Sequence, residues 1–107
     1  MTLGNFKLIS MLLSEGTLEI LASMRQAEVA YFKDLRKLKN ERTGRIFSAN
    51  TLSARLKELE KIRAIRKVPS TTTSGRNVVA YKITPQGVKA LEISQKYEDE
   101  LAKFLSK

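Results

Sequence analysis

A marked helix start at Ser48 and, after that helix, a hairpin pattern from Ile65 to Ile83 set the frame for everything else in this chain. Ser48 is a good N-cap, and Phe47 before it can pack on Leu52 as a hydrophobic staple. At 100° per residue, Ala49, Leu52, Leu56, Leu59 and Ile62 fall on one side of a helix running from Ala49 to about Ile62. Asn50, Ala54, Lys57 and Lys61 lie opposite, with Thr51 and Ser53 on the flanks. Ile65 to Val68 and Val78 to Ile83 then read as two strands. Between them, the hydroxyl-rich Pro69 to Ser74 and Gly75 read as a long turn.

Upstream, Leu3, Phe6, Ile9, Leu12 and Leu13 follow helical spacing, and Glu15-Gly16 interrupts before a second helix carrying Leu18, Leu21 and Met24. Glu28 to Ala30 is short enough only for a minimal strand. Tyr31 to Lys39 is predicted as an amphipathic helix, with Phe32, Leu35 and Leu38 inward and Lys33, Arg36, Lys37 and Lys39 elsewhere. Asn40 to Phe47, with Thr43-Gly44, reads as a loop. Thr84 before Pro85 opens a last helix whose apolar stripe is Ala90, Ile93, Tyr97, Leu101, Phe104 and Leu105. No repeat or Pro/Gly linker divides the 107 residues, so a single, mostly helical α+β domain is expected.

Charge narrows the partners. The net charge is +9, and residues 25 to 82 hold fifteen Lys/Arg against five Asp/Glu, so the excess belongs to the middle of the chain. A basic core of this kind points to a polyanion. The sequence contains no Cys and no His, which removes thiolate chemistry and the commonest general base and metal ligand. Asp34, Glu58 and Glu60 are scattered among cations rather than clustered as a nuclease metal site needs. No enzymatic activity, cofactor or metal is therefore expected. No apolar run approaches the ~18 residues of a spanning helix, and the N-terminus lacks signal-peptide features. A cytoplasmic, nucleoid-associated protein without membrane contact is the expectation.

The element order is that of a winged helix-turn-helix with a two-stranded β-hairpin wing. In that arrangement the second helix of the pair enters the major groove, where base edges present distinct donors and acceptors. The expected base-edge or groove-wall contacts are Asn50, Thr51, Ser53 and Lys57, with Lys61 on phosphate. Ser48 and the free amides at the helix N-terminus can hold a further phosphate. Lys67, Thr72, Thr73 and Arg76 are the expected wing contacts, supported by Arg66, with Arg76 suited to a narrow minor groove. Arg42 and Arg45 in the loop read equally as solvated charges or phosphate ligands. Arg55 lies near the core side and is expected to be structural, packing its stem or pairing with Asp34.

Three segments carry a family resemblance. Phe32-Lys-Asp-Leu-Arg36, Ser48-Ala-Asn-Thr-Leu-Ser-Ala-Arg-Leu-Lys-Glu-Leu-Glu60 and Tyr81-Lys-Ile-Thr-Pro-Gln-Gly-Val-Lys-Ala-Leu91 resemble the HxlR-type branch of winged-helix regulators, near the MarR and PadR families. The likeness covers residues 17 to 91. It implies a dimeric bacterial or archaeal transcription regulator that binds double-stranded DNA, with terminal helices (1–14 and 92–107) forming the dimer interface around that core. Phe6, Ile9, Leu13, Tyr97, Leu101, Phe104 and Leu105 are the residues placed there. The last helix supports this independently, since its stripe is too long for one small domain to cover; packing on the chain's own first helix is the alternative. Two departures stand out. The family often has a Cys near the N-terminus, so thiol sensing is impossible here, and the loop Asn40 to Phe47 is longer than the usual turn. Other readings consistent with the residues are a non-specific nucleoid protein and a winged-helix module for an acidic protein partner. No small-molecule effector is indicated.

Overall fold

A computed structural model of the chain describes residues 6–105. Leu3 of the expected first stripe and the last two residues of the expected C-terminal segment lie outside them. In chain order the elements are α1 (Lys7–Leu12), α2 (Thr17–Arg25), β1 (Ala30–Tyr31), α3 (Phe32–Leu35), α4 (Ala49–Lys61), β2 (Ile65–Thr71), β3 (Asn77–Ile83) and α5 (Pro85–Leu105). The fold is α+β, with helix predominating and one three-stranded antiparallel sheet of order β1-β3-β2.

The organising element is α4. Ser48 Oγ accepts the Thr51 amide at 3.1 Å, which satisfies one of the otherwise orphaned donors of the first turn. Leu52, Leu56 and Leu59 are buried as the periodicity predicts. They meet Ile20, Leu21 and Met24 of α2, Leu35 of α3 and Ala64-Ile65 at the start of β2. Phe32, Leu38, Tyr81, Ile83 and Leu91 close the core from its edges. Phe47 is 2% exposed, and its ring lies against Gly16, the left-handed residue (φ +87°) that starts α2.

Four boundaries differ from expectation. The Tyr31 to Lys39 helix is only the single turn α3, because Lys37 and Leu38 bond back to the carbonyls of Asp34 and Leu35, three residues earlier. The i, i+3 spacing of Phe32, Leu35 and Leu38 suits this tighter winding, which cannot propagate far. The minimal strand falls on Ala30–Tyr31 rather than Glu28 to Ala30, fixed by pairing Ala30 with Tyr81 and Tyr31 with Ala80. The strands of the hairpin run on through Pro69, Ser70 and Thr71, paired with Val79, Val78 and Asn77. Thr is a strand former as well as a turn residue, and Pro is tolerated because β2 is an edge strand with one unpaired side. The first helix begins at Lys7 and contains no buried residue.

The joint between α4, the sheet and α5 is a hydrogen-bonded knot. Arg63, with φ 63°, turns the chain out of α4. Thr84 Oγ1 donates toward the Arg63 carbonyl at 2.6 Å and lies 3.0 Å from that of Ala64. Its own amide donates to Ala64 O at 3.0 Å. Thr84 Oγ1 in turn accepts from the Gly87 amide at 3.0 Å, capping α5 as the Thr-Pro pair predicts.

Candidate nucleic-acid interface

With Leu52, Leu56 and Leu59 turned inward, α4 exposes Asn50, Ala54, Lys57 and Lys61, while Thr51 and Ser53 are half-buried on its flanks. Two hydroxyls at its N-terminus are committed to each other. Ser48 Oγ donates to Thr51 Oγ1 at 2.9 Å while accepting the Thr51 amide, so Ser48 is a cap first, and Thr51 keeps its own proton for an outside acceptor. Lys57 and Lys61 form no ion pair among the described residues.

The wing is a five-residue turn on two seven-residue strands. It is closed by Thr72, whose amide donates to Arg76 O at 2.9 Å and whose carbonyl accepts from Gly75 at 2.9 Å. Thr72 Oγ1 accepts the Arg76 amide at 3.1 Å and shares a hydrogen bond with Ser74 Oγ. Thr72 is thus largely occupied in holding the turn and Ser74 Oγ is bonded to it, so of the exposed residues 73–76 the side chains of Thr73 and Arg76 are those without a hydrogen bond inside the turn. Gly75, at φ +83°, supplies the left-handed position. The base of the wing adjoins α4, since Lys67 Nζ of β2 lies 3.8 Å from Glu60 Oε1. Lys67 is therefore partly neutralised, although an exposed pair of this kind is weak and exchangeable. Tyr31 Oη and Ser70 Oγ, 2.8 Å apart, tie β1 to β2 across the central strand, a bond that no local pattern signals.

Arg55 is structural, but its partner is not Asp34. Its Nε donates to the carbonyl of Glu15 at 2.7 Å and its Nη1 to Glu58 Oε1 at 3.1 Å. Asp34 instead approaches Lys37, at 4.0 Å, because the single-turn α3 places those two i, i+3 neighbours on one side. Glu58 keeps its second oxygen, Oε2, buried without a partner, as is the hydroxyl of Thr17.

The expected loop Asn40 to Phe47 is a small ordered hairpin, with Lys39 and Ile46 bridged. At the two ends of the chain the apolar side chains point to solvent. Phe6, Ile9 and Leu13 are 62%, 54% and 70% exposed, and Tyr97, Leu101, Phe104 and Leu105 are 60%, 54%, 71% and 75% exposed. These values decide against folding of the α5 stripe onto the chain's own first helix, since neither surface is covered. Among the described residues no helix is long and apolar enough to cross a membrane, and no three metal-ligating side chains converge.

No family model matches the sequence, and no curated protein matches it. Solved structures do. The reduced form of the transcriptional regulator YodB from B. subtilis superposes with a TM-score of 0.74 at 20% identity, covering 98% of this chain and 95% of that one. A PadR family transcriptional regulator from Eggerthella lenta gives 0.70 at 22% identity, over 94% and 84% of the two chains. A PadR-like transcriptional regulator from Bacillus cereus gives 0.68 at 19% identity, over 91% and 93%. The chain therefore has the winged-helix fold of such regulators along nearly its whole length.

Proposed function

We propose that this protein is a DNA-binding transcription regulator of the winged-helix class, working as a homodimer on double-stranded DNA in the cytoplasm. Residues 17–91 are the DNA-binding core, and residues 1–14 and 92–107 are the dimerisation segments. The observation that carries the reading is the joining of two exposed basic elements, the Asn50-Lys57-Lys61 face of α4 and the hairpin, through the Glu60–Lys67 contact. In this reading Asn50, Thr51, Ser53 and Lys57 meet base edges, while Lys61, Lys67, Thr73 and Arg76 meet phosphates or the minor groove. Ser48 and Thr72 hold those groups in place. The three solved structures of like fold named above, each described as a transcriptional regulator, support this assignment, and the three sequence motifs favour the HxlR branch within it. No catalytic step, metal or cofactor is assigned.

Selection of bound sequences from a random duplex pool, followed by titration at several salt concentrations, tests the proposal. If each protomer neutralises ~4 to 6 phosphates, log affinity falls against log salt with a slope of magnitude ~7 to 11 per dimer. A selected site bound ~1000-fold more tightly than random DNA identifies a regulator. A ratio near one identifies an architectural nucleoid protein instead. No shift of any duplex at low salt turns the basic face toward an acidic protein partner.

A further inference from the structure

The chain departs from a plain helix-turn-helix at residues 39–47. Where a short turn would connect α3 to α4, it builds a hairpin of its own. Lys39 and Ile46 pair in a β-bridge. The amide of Asn40 donates to Arg45 O at 2.8 Å, and that of Gly44 to Asn40 O at 2.7 Å. Asn40 is 6% exposed, and its Oδ1 accepts the Arg42 amide at 2.9 Å, while Thr43 Oγ1 accepts that of Arg45 at 3.2 Å. Gly44 takes the left-handed φ of +72° that closes the turn. Four internal hydrogen bonds and a buried anchor thus fix nine residues whose charged side chains, Lys39, Glu41, Arg42 and Arg45, are all exposed.

The loop's surplus is cationic, and neither Arg42 nor Arg45 is ion-paired among the described residues. Arg45 precedes the Ser48 cap by three residues, so their Cα atoms can be no more than about 11 Å apart. That puts the Arg45 backbone close to the N-terminus of α4, where three amides left free by the Ser48 cap and the helix dipole already favour an anion, while Arg42, three residues further out, lies beside the turn between α1 and α2. A flexible loop would lose much of such a contact to ordering, whereas a pre-ordered one does not. Ile46, 55% exposed, adds apolar surface at the base of the same hairpin.

From this we infer that the 39–47 hairpin is a second wing: a backbone clamp in which Arg42 and Arg45 each hold a DNA phosphate on the strand bordering the N-terminal end of α4, without reading bases. The inference rests on the duplex-binding function proposed above and enlarges its footprint beyond α4 and the β2–β3 wing.

The test compares the full-length protein with R42A/R45A and R42K/R45K, and with a control, K96Q/K103Q, that removes two cations from α5. Each is titrated with a selected duplex between ~50 and ~200 mM salt and footprinted with hydroxyl radicals. Loss of two phosphate contacts lowers the slope magnitude by about 1.8 per protomer. The advantage of the unmodified protein over R42A/R45A then shrinks roughly twelvefold per protomer as salt rises fourfold across that range. Backbone protection disappears at the outer flank of each half-site, base preference is unchanged, and R42K/R45K restores most of the slope. Equal slopes and footprints for R42A/R45A and K96Q/K103Q overturn the clamp while leaving duplex binding intact. Failure of the unmodified protein to bind any duplex overturns the clamp together with the function on which it rests. Since all four substituted residues are exposed, unchanged thermal unfolding confirms that the comparison is between folded proteins.

Discussion

Arg55 and Glu15, forty residues apart in the chain, are joined by a 2.7 Å hydrogen bond from the guanidinium Nε to the main-chain carbonyl. The bond fastens the turn between α1 and α2 onto the middle of α4, and Phe47, just ahead of α4, packs against the adjoining Gly16 and seals the same seam. The orientation of α4 is thus fixed from the N-terminal side as well as from the core.

Replacing Arg55 by Met keeps most of the apolar stem and removes both bonds. The side chain is 21% exposed, and a charge-assisted bond contributes ~1.5 to 3 kcal/mol, so a loss of about 2 kcal/mol is expected in denaturant unfolding. Part of it comes from Glu58, left with no counter-charge while one of its oxygens is buried. The salt slope of DNA binding should stay where it was. A variant of unaltered stability with a shallower slope would make Arg55 a phosphate ligand and not a brace.

Among the described glycines, Gly87 has the least room for a side chain. A Cβ there would lie 2.1 Å from the Ala64 carbonyl oxygen and 2.8 Å from Ile83 Cγ1, so Gly87→Ala must push α5 off the end of α4 and break the Thr84 knot. Overpacking against backbone costs ~3 kcal/mol at the upper end, equivalent to a Tm lowered by roughly 12 to 24 °C for a domain of this size. Calorimetry of the variant measures it, and a Tm within ~2 °C of the parent would show that α5 docks more loosely than described.

These two sites show where local pattern stops being informative. The buried face of α4, its Ser48 cap, the order of elements and the Thr84-Pro85 helix start were legible because each depends on residues within a few positions of one another. Arg55–Glu15, Phe47–Gly16 and Gly87–Ala64 were not, since a glycine or arginine carries no local sign of the distant backbone it will meet. The span of the wing was misread for a different reason. Ser and Thr serve turns and strands alike, and only the pairing of Pro69, Ser70 and Thr71 with Val79, Val78 and Asn77 decides between them. The basic, outward residues of α4 were legible as a surface, and their assignment to DNA remains the functional proposal.

Within that proposal, Asn50 and Arg76 should fail differently. Asn50 is exposed on the first turn of α4 and carries both a donor and an acceptor, the pair needed to read an adenine edge. Asn50→Ala is expected to relax preference at one or two base pairs by ~1 to 3 kcal/mol, with little change on random DNA. Arg76→Ala is expected to weaken every sequence alike and reduce the slope by ~1 per protomer. Parallel binding-site selections on the two variants give the answer, and uniform loss in both would erase the distinction between reader and wing.

The exposed stripe of α5 makes the assembly testable without DNA. Tyr97 and Leu101 are four residues apart on one helical face, both more than half exposed, so charging them leaves the core untouched. If that face meets its counterpart on a second copy, the variant Tyr97→Glu with Leu101→Glu places four carboxylates in the seam. Burial of each side chain in the parent is worth ~1.5 to 3 kcal/mol. The four together are worth ~6 to 12 kcal/mol, comparable to the ~8 kcal/mol of a micromolar association. Sedimentation should therefore show a parent dimer and a monomeric variant whose unfolding, extrapolated to low protein concentration, matches that of the parent. On DNA the monomer should protect one half-site instead of two spaced by ~34 Å. A parent that sediments as a monomer, or a variant that stays dimeric, would remove α5 from the interface and leave its stripe to some other partner.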